Sequence, residues 1–444
     1  EALGDGVTES LIDVLSRTRG LRVQSSGATA RFRQEREPRV AARELGVELL
    51  VDGTLQAMGR SVRATLRLVE GASGTQLWSG RFEETDDDAF ALQDRLALRM
   101  AETLRTELLL LSYRDTVPEE ARALFRQTLG RPRTTSRGTS DELLAPLRQV
   151  LVLAPDFPPA VALYAVAALR TWFLRQSDTE RDWEAEARAG LERACRLAPE
   201  LVDTQLARAI LAIHEGQLRE AVVALRAALD MAPAFAPAMQ VLGNLQCEAG
   251  RAAEGLERLR LAYALEPALV ISLVDIARCS ALRGEHDAYR ECLARLEAQP
   301  LLLLATLTVR MRVAAWNQDF EELRRCQALL RDELDPVAVH AASYCAVALG
   351  ELDVEQAVPA MDALLARRLS PRFASLLCQL AAEQLCLRGE TGHALRYLQR
   401  AADTSLIDLE WLDRCPALTP LRTLPGFSEA RRKVRTRVEA VWSA

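Results

Sequence analysis

Residue types that could carry out catalysis are few and scattered in this sequence. Four histidines occur, and none shows the HExxH or HxxxH spacing of a zinc site or a local general base. They are His214, His286, His340 and His393. Of the 56 basic residues only Lys433 is a lysine, and it lies in a charged helical tail. A P-loop requires GxxxxGK[ST] and a protein kinase requires a strand lysine, so these residues predict no catalytic centre and no cofactor.

Other candidate sites have simpler interpretations. The aspartates at 86–88 could bind a metal, but they fit better as the cap and first turn of the helix that follows. The glycine-containing stretches 4–6 and 71–74 lack the spacing of a phosphate loop and are typical of turns. We therefore predict no metal site.

The nine cysteines all lie between Cys195 and Cys415. They show no CxxC spacing, their number is odd, and most occur within apolar helical patterns. A free cysteine in such a position behaves as a small apolar residue. The pattern predicts core thiols and a reducing, cytoplasmic location.

The length and composition of the chain limit the class of protein further. The chain has 444 residues, a net charge of −6 and 49% hydrophobic residues, which predicts a globular protein of two or three domains. The negative charge argues against nucleic-acid binding, and no apolar run is long enough to span a membrane. The sequence begins at Glu1 without methionine, so we expect it to be a piece of a longer protein.

Most of the sequence carries a helical repeat. Prolines that interrupt helical runs recur at intervals of 33 to 36 residues, apart from one interval of 44 before Pro199. These prolines lie at 155, 199, 233, 267, 300, 336 and 371. Because proline cannot continue a helix, each should end a helix pair, and a period near 34 is typical of tetratricopeptide repeats. We expect about eight repeats, with about ten extra residues within 171–183.

Small residues repeat with the same period. Leu242 and Gly243 occupy the Leu-Gly position of a first helix, Gly250 the turn, and Gly255 a small position in the second helix. Small residues let two helix backbones approach closely, whereas larger apolar residues fill the space between neighbouring pairs. The predicted fold is mostly α, a right-handed superhelix of tetratricopeptide helix pairs preceded by a small α+β domain.

The first 110 residues have a different pattern. Helices are predicted at 5–18, 36–46 and 86–108, and a short strand at 21–26. Three alternating segments within 47–84 predict a meander of three further strands. The predicted domains are 1–110, a connecting helix and mobile loop at 111–141, and the repeats with carboxyl-terminal capping helices at 142–444.

This amino-terminal pattern resembles the TolB-type amino-terminal domain. The similarity rests on DGVTESLIDVLSR, GLRVQSS, AARELGVELLVDGTL, VRATLRLVEGASGTQLWSGRFE and AFALQDRLALRMAETL. The family normally begins with a strand ahead of DGVTE that is absent here. We therefore expect a sheet edge that is bare or is supplied by upstream residues.

The resemblance implies a role in signalling. Domains of this pair usually follow a serine/threonine kinase, a nucleotidyl cyclase or a winged-helix DNA-binding domain. The segment 408–434 is similar to the tail of bacterial serine/threonine kinases with such repeats, which favours the kinase. The expected function is a non-catalytic sensory or scaffold region, and the alternatives are a transcription regulator or a cyclase.

Partner binding is predicted in the concave groove lined by first helices. The residues assigned to it are Leu206, Ile210, Ile213, His214, Gln240, Asn244, Cys247, Glu248 and Arg278. The lysines of the carboxylate clamp that captures peptide termini are absent, and arginine forks do not replace them fully. A helical or extended protein segment is the expected ligand.

Overall fold

In the computed structural model, residues 2–32, 37–59, 61–85, 88–129, 141–176, 181–298, 303–330 and 336–443 are described. The chain divides into two compact units. The first comprises 1–118 with the short segments 228–236 and 264–266, and the second comprises 119–227, 237–263 and 267–444.

The first unit contains an antiparallel sheet and four helices. The helices are α1 (Ala2–Arg17), α2 (Ser26–Ala30), α3 (Pro38–Leu45) and α4 (Ala89–Leu111), and the strands are β1 (Leu49–Met58), β2 (Ser61–Glu70) and β3 (Gln76–Thr85). The strand order is β1-β2-β3, with Leu49 opposite Glu70 and Ser61 opposite Thr85. The predicted meander is confirmed.

Alternation along β2 forms the core of this unit. Val62, Ala64 and Leu66 are buried on one face, as the period of two in a strand requires. They pack in one cluster with Leu96 and Leu104 of α4, which are fully buried. The carboxylate of Asp88 accepts hydrogen bonds from the backbone N–H groups of Phe90 and Ala91 at the start of α4. The capping role expected for the aspartate run is therefore confirmed at this residue, whereas 86 and 87 lie outside the described residues.

The strand predicted at 21–26 is wrong. Residues 21–25 pair with no strand in the described part of the chain, and α2 begins at Ser26. Leu21 and Val23 nevertheless pack against the apolar cluster of the unit. Alternating apolar residues anchored this segment to the core, but strand structure also needs a hydrogen-bonded neighbour.

Consecutive helix pairs make up most of the second unit. They are α5 (Glu119–Leu129) and α6 (Asp141–Leu153), α7 (Pro158–Arg175) and α8 (Trp183–Leu197), α9 (Val202–His214) and α10 (Leu218–Met231), α11 (Ala236–Glu248) and α12 (Ala252–Leu265), α13 (Ile271–Arg283) and α14 (His286–Glu297), α15 (Leu303–Trp316) and α16 (Phe320–Leu330), α17 (Pro336–Leu349) and α18 (Val354–Leu365), and α19 (Pro371–Leu387) and α20 (Thr391–Asp403). They are followed by α21 (Leu409–Arg414), a 3-10 helix (Pro416–Leu421) and α22 (Pro425–Trp442). The repeating helix pairs expected from the sequence are present.

The turns within four successive pairs, from α9/α10 to α15/α16, use a left-handed residue at a regular spacing. Gly216, Gly250 and Gly284 have φ of 76°, 75° and 74°, at intervals of 34 residues. The next position in the series is Gln318, which has φ of 57°. A glycine adopts this conformation without steric cost, whereas a glutamine does not. The 34-residue spacing of left-handed turns therefore continues at Gln318, although a glutamine does not by itself indicate such a turn.

The prolines act in two ways. Pro155 and Pro199 follow helix ends, as do Pro233 and Pro267, in agreement with the prediction. Position 336 and Pro371 instead begin α17 and α19, where the missing N–H of proline costs nothing. Position 300 and the loop at 131–140, which was predicted to be polar and mobile, lie outside the described residues. Part of the long interval before Pro199 is the 18-residue α7, and 177–180 are also outside them.

Close helix approach occurs at the predicted small positions. A Cβ atom at Gly255 would lie 2.6 Å from the carbonyl oxygen of Gly243 and 2.7 Å from the backbone nitrogen of Cys247. These are backbone atoms, so α11 and α12 would have to separate to admit a methyl group. A Cβ atom at Gly392 in α20 would meet no atom within 4 Å.

We predict that Gly255→Ala lowers the free energy of unfolding by about 1–3 kcal/mol, because overpacking separates two helices. Gly392→Ala is the matched control, and we expect it to be neutral or stabilising by up to about 1 kcal/mol. Chemical denaturation followed by far-UV circular dichroism measures both. Equal effects of the two substitutions would contradict the close approach.

Candidate partner-binding groove

The residues predicted to line the groove all lie on first helices of successive pairs. Leu206, Ile210, His214, Gln240, Cys247 and Glu248 are buried, with relative exposures of 1% to 7%. The side chains of Ile213, Asn244 and Arg278 are partly buried. The repeat assignment therefore placed these residues on first helices, and we use the name inner face for the surface that they were predicted to line. Their use in partner binding remains a prediction.

This inner face is covered by later parts of the same chain. Helix α7 contacts α17, α9 contacts α19, and α13 contacts α21. The amide of Gln176 donates to the hydroxyl of Ser370 over 2.8 Å and accepts from the backbone N–H of that residue over 2.6 Å. The rings of Phe173 and Phe373 meet edge to face at 5.4 Å. In the described conformation the predicted groove is closed by intramolecular contacts.

The linker between α20 and α21 contributes to this closure. Ser405, Leu406, Ile407 and Asp408 are each no more than 1% exposed. A Cβ atom at the turn residue Gly216 would lie 3.0 Å from the Cβ atom of Ser405. We refer to residues 405–410 as the inner segment.

The inner segment also lies beside the next two turns between paired helices, those at Gly250 and Gly284. A Cβ atom at Gly250 would lie 3.6 Å from Leu409, and Arg283 is 3.5 Å from the carboxylate of Glu410. The inner segment therefore passes three successive repeats.

Two ion pairs join the inner face to the covering elements. The guanidinium of Arg278 donates to the carboxylate of Asp408, which is 1% exposed. Arg372, at the start of α19, donates to both carboxylate oxygens of Glu248 over 2.6 Å. Burial disfavours the charge of Arg278, but Asp408 and Glu248 outweigh this, so its pKa is raised. Loss of one member of such a pair leaves a charge buried without compensation.

A third acidic residue lies beside these pairs. The carboxylate of Asp275 accepts from the amide of Gln240 over 2.6 Å and from that of Asn244 over 2.9 Å. Burial raises the pKa of Asp275 to about 7, although both hydrogen bonds favour the ionised form. Glu248 adds to the rise and Arg278 opposes it. The predicted groove residues Gln240 and Asn244 are thus brought together by a side chain that was not predicted.

His214 lies in an aromatic environment. Its ring stacks on Trp172 with centroids 4.6 Å apart, and meets Phe173 edge to face at 5.2 Å. Its Nδ1 makes no hydrogen bond with the described residues. Burial lowers the pKa of His214 to about 3, and the positive charges of Arg372 and Arg188 add to the effect. This histidine is therefore neutral at physiological pH.

A buried carboxylate holds the covering helices together. Glu383 of α19 is fully buried and pairs with Arg312 of α15. It also accepts from the hydroxyl of Tyr344 over 3.1 Å and from the indole N–H of Trp411 over 2.6 Å. Sequence reasoning missed this residue because its partners come from three other helices. An acidic residue inside the apolar run 373–386 was the available signal.

The carboxyl-terminal helix closes on an earlier repeat. The indole N–H of Trp442 donates to the carbonyl oxygen of Ala249 over 3.0 Å, and Arg251 lies 4.6 Å from the ring centroid. Lys433 pairs with Asp403 over 2.7 Å, in the charged helix where it was expected. Arg437 donates to the carbonyl oxygen of Leu406 over 2.7 Å and so holds the inner segment.

Within the described residues no group of three or more His, Cys, Asp or Glu side chains is arranged to hold a metal ion. Eight of the nine cysteines are buried and Cys195 is partly exposed, with no disulfide among them. Burial raises the pKa of Cys378 and Cys386 to about 12, which disfavours reactive thiolates. No described helix combines the length and apolar character needed to cross a bilayer.

Comparisons with known proteins give limited similarity. No family model matches the chain. A protein described as putative adenylate cyclase 3 of Rhizobium meliloti (strain 1021) is 28% identical over 206 residues. The match covers 45% of this chain and about a third (34%) of that protein.

One structural match is a crystal structure of the TPR domain of P58(IPK). It is 14% identical, and the alignment covers 79% of this chain and 96% of the other. The TM-score of 0.21 is too low to show a shared overall arrangement.

We predict that protonation of His214 destabilises the fold at low pH. Because its pKa falls from 6.5 to about 3 on folding, the unfolded state binds more protons between these values. Stability is therefore lost as pH falls below about 6.5, by up to about 1.4 kcal/mol per pH unit from this group. Asp275 has a raised pKa and acts in the opposite direction, so the contribution of His214 requires a matched comparison.

The comparison is with His214→Phe, which keeps an aromatic ring but cannot titrate. Urea denaturation at several pH values between 7 and 4 should show wild type losing stability relative to the variant as pH falls. Parallel pH profiles for the two proteins would contradict the buried neutral histidine.

Proposed function

We propose that this chain is a non-catalytic, protein-binding region of a larger signalling protein. The observation that supports it is the polar character of the inner face of the helix pairs. Gln240, Asn244, Glu248 and Arg278 occupy positions where a purely structural core would place apolar residues. Arrays of helix pairs commonly bind extended or helical protein segments along the face that the first helices line.

The finer parts of the proposal come from the sequence. The helix pairs are proposed to form a right-handed tetratricopeptide superhelix, and residues 1–110 a TolB-like domain. The three-stranded antiparallel sheet is compatible with that domain. A cytoplasmic location is proposed from the free, mostly buried cysteines.

The domain of the larger protein that would carry out catalysis or DNA binding has three candidates. The similarity of the segment 408–434 to kinase tails favours a serine/threonine kinase. The match to a putative adenylate cyclase favours a nucleotidyl cyclase instead. A winged-helix regulator has support only from the general resemblance of the amino-terminal domain. In each case this chain would supply the sensory or recruiting part.

We predict that a partner contacts the inner face and not the outer one. A photo-crosslinking amino acid at Ile213, which is partly buried and is predicted to line the inner face, should capture the partner in cells that express the full protein. The same amino acid at Val223, which is 52% exposed on the second helix of that pair, is the matched control. Capture at Val223 with none at Ile213 would contradict binding through the inner face.

A separate prediction concerns catalysis. The purified chain should form no cyclic AMP from MgATP, because in the proposed function any catalytic domain belongs to another part of the larger protein. Product would be measured by liquid chromatography, with a known cyclase as the positive control. Turnover by the purified chain that persists at constant specific activity through further purification would overturn the non-catalytic assignment.

A further inference from the structure

The contacts of the inner segment point to a particular kind of ligand, an inference that rests on the proposed function. This segment has the sequence SLIDLE, with two fully buried aliphatic residues followed by a buried aspartate. It passes three successive turns, and its aspartate pairs with Arg278, one of the residues predicted to bind a partner. The chain thus places its own peptide where a partner peptide was expected.

We propose that the inner segment is an intramolecular ligand of the inner face, and that the natural partner supplies a peptide with two aliphatic residues followed by a carboxylate. The partner carboxylate replaces Asp408 on Arg278. The two aliphatic residues replace Leu406 and Ile407. Binding then releases the inner segment from the three turns.

Charge complementarity supports an acidic ligand at this place. Arg278 and Arg283 both face carboxylates of the inner segment, those of Asp408 and Glu410. An arginine held between acidic groups recognises a carboxylate by charge-assisted hydrogen bonds. A basic or neutral peptide would leave Arg278 buried without a partner, which is costly. The inner face therefore discriminates in favour of a peptide of this composition.

Ion pairs between the inner face and the elements that cover it allow a partner to compete with the inner segment. The inner face and its covering elements meet through the pairs Arg278–Asp408 and Glu248–Arg372. A carboxylate of the partner can compete with Asp408 for Arg278, because the ion pair that it forms is equivalent to the one that it replaces.

The test uses Asp408→Asn in the whole chain. Besides its ion pair, Asp408 accepts from the backbone N–H of Trp411 at the start of α21. Asparagine is an equally good cap, so the helix start is kept while the charge is lost. The probe is a fluorescein-labelled peptide TSLIDLEW, and a second peptide carries asparagine in place of its aspartate.

We expect the Asp408→Asn chain to bind the aspartate peptide at least tenfold more tightly than wild type does. It should also prefer this peptide at least tenfold over the asparagine peptide. Adding Arg278→Gln should abolish the preference, whereas adding Arg290→Gln should not, since Arg290 is exposed and pairs with Asp287 three residues away on the same helix. Fluorescence anisotropy measures the affinities, and circular dichroism checks that each variant is folded.

Several outcomes would overturn the proposal. Equal affinity for the two peptides would show that the carboxylate is not recognised. If the Asp408→Asn chain binds neither peptide, hydrogen exchange of 405–411 shows whether the segment has been released. If the segment is released and the chain still binds no peptide, the segment is not a ligand of the inner face. If the segment is still protected, the ion pair with Arg278 does not hold it in place. A dimer that forms as the protein concentration rises would show that the inner face binds the inner segment of a second copy of this chain.

Failure of this proposal is separable from failure of the proposed function. Partner capture at Ile213 does not depend on the peptide probe. If capture succeeds while the peptides fail, the inner face binds a partner of different chemistry. If both fail, the inner face is a structural core and the protein-binding function is lost with it.

Discussion

Buried charge pairing across the inner face is the interaction on which the second unit depends. Arg278 and Glu248 lie on helices of the array, and their partners Asp408 and Arg372 come from elements more than 120 residues later. A charge removed from water is tolerated only when it is paired, so the covering elements and the array require each other. The array is therefore closed by specific recognition in addition to apolar packing.

This constraint connects the fold with the function. Small residues such as Gly255 allow close approach within a pair, and left-handed turns repeat at a fixed spacing. Both features stack the first helices side by side, which brings their polar positions onto one face. The same face binds the inner segment through contacts of the kind that a peptide ligand makes. We propose that the inner face serves two purposes, since it binds the inner segment of the same chain and recognises the partner.

The sequence allowed prediction of the features that depend on local pattern. The proline and glycine period predicted the helix pairs and the turn at Gly250, and alternation predicted the meander, whereas the left-handed turn at Gln318 has no glycine to indicate it. The strand at 21–26 was wrong because pairing depends on a neighbour. Closure could not be predicted because its contacts are distant in sequence, as between Gln176 and Ser370, which are 194 residues apart.

Hydrogen exchange of the wild-type chain tests the central claim most directly. The backbone amides of residues 405–410 should exchange slowly, with protection similar to that of α11 and α13, because the inner segment is buried and held by Asp408. Exchange at the rate of an exposed linker, with α11 and α13 still protected, would contradict the claim that the chain occupies its own inner face.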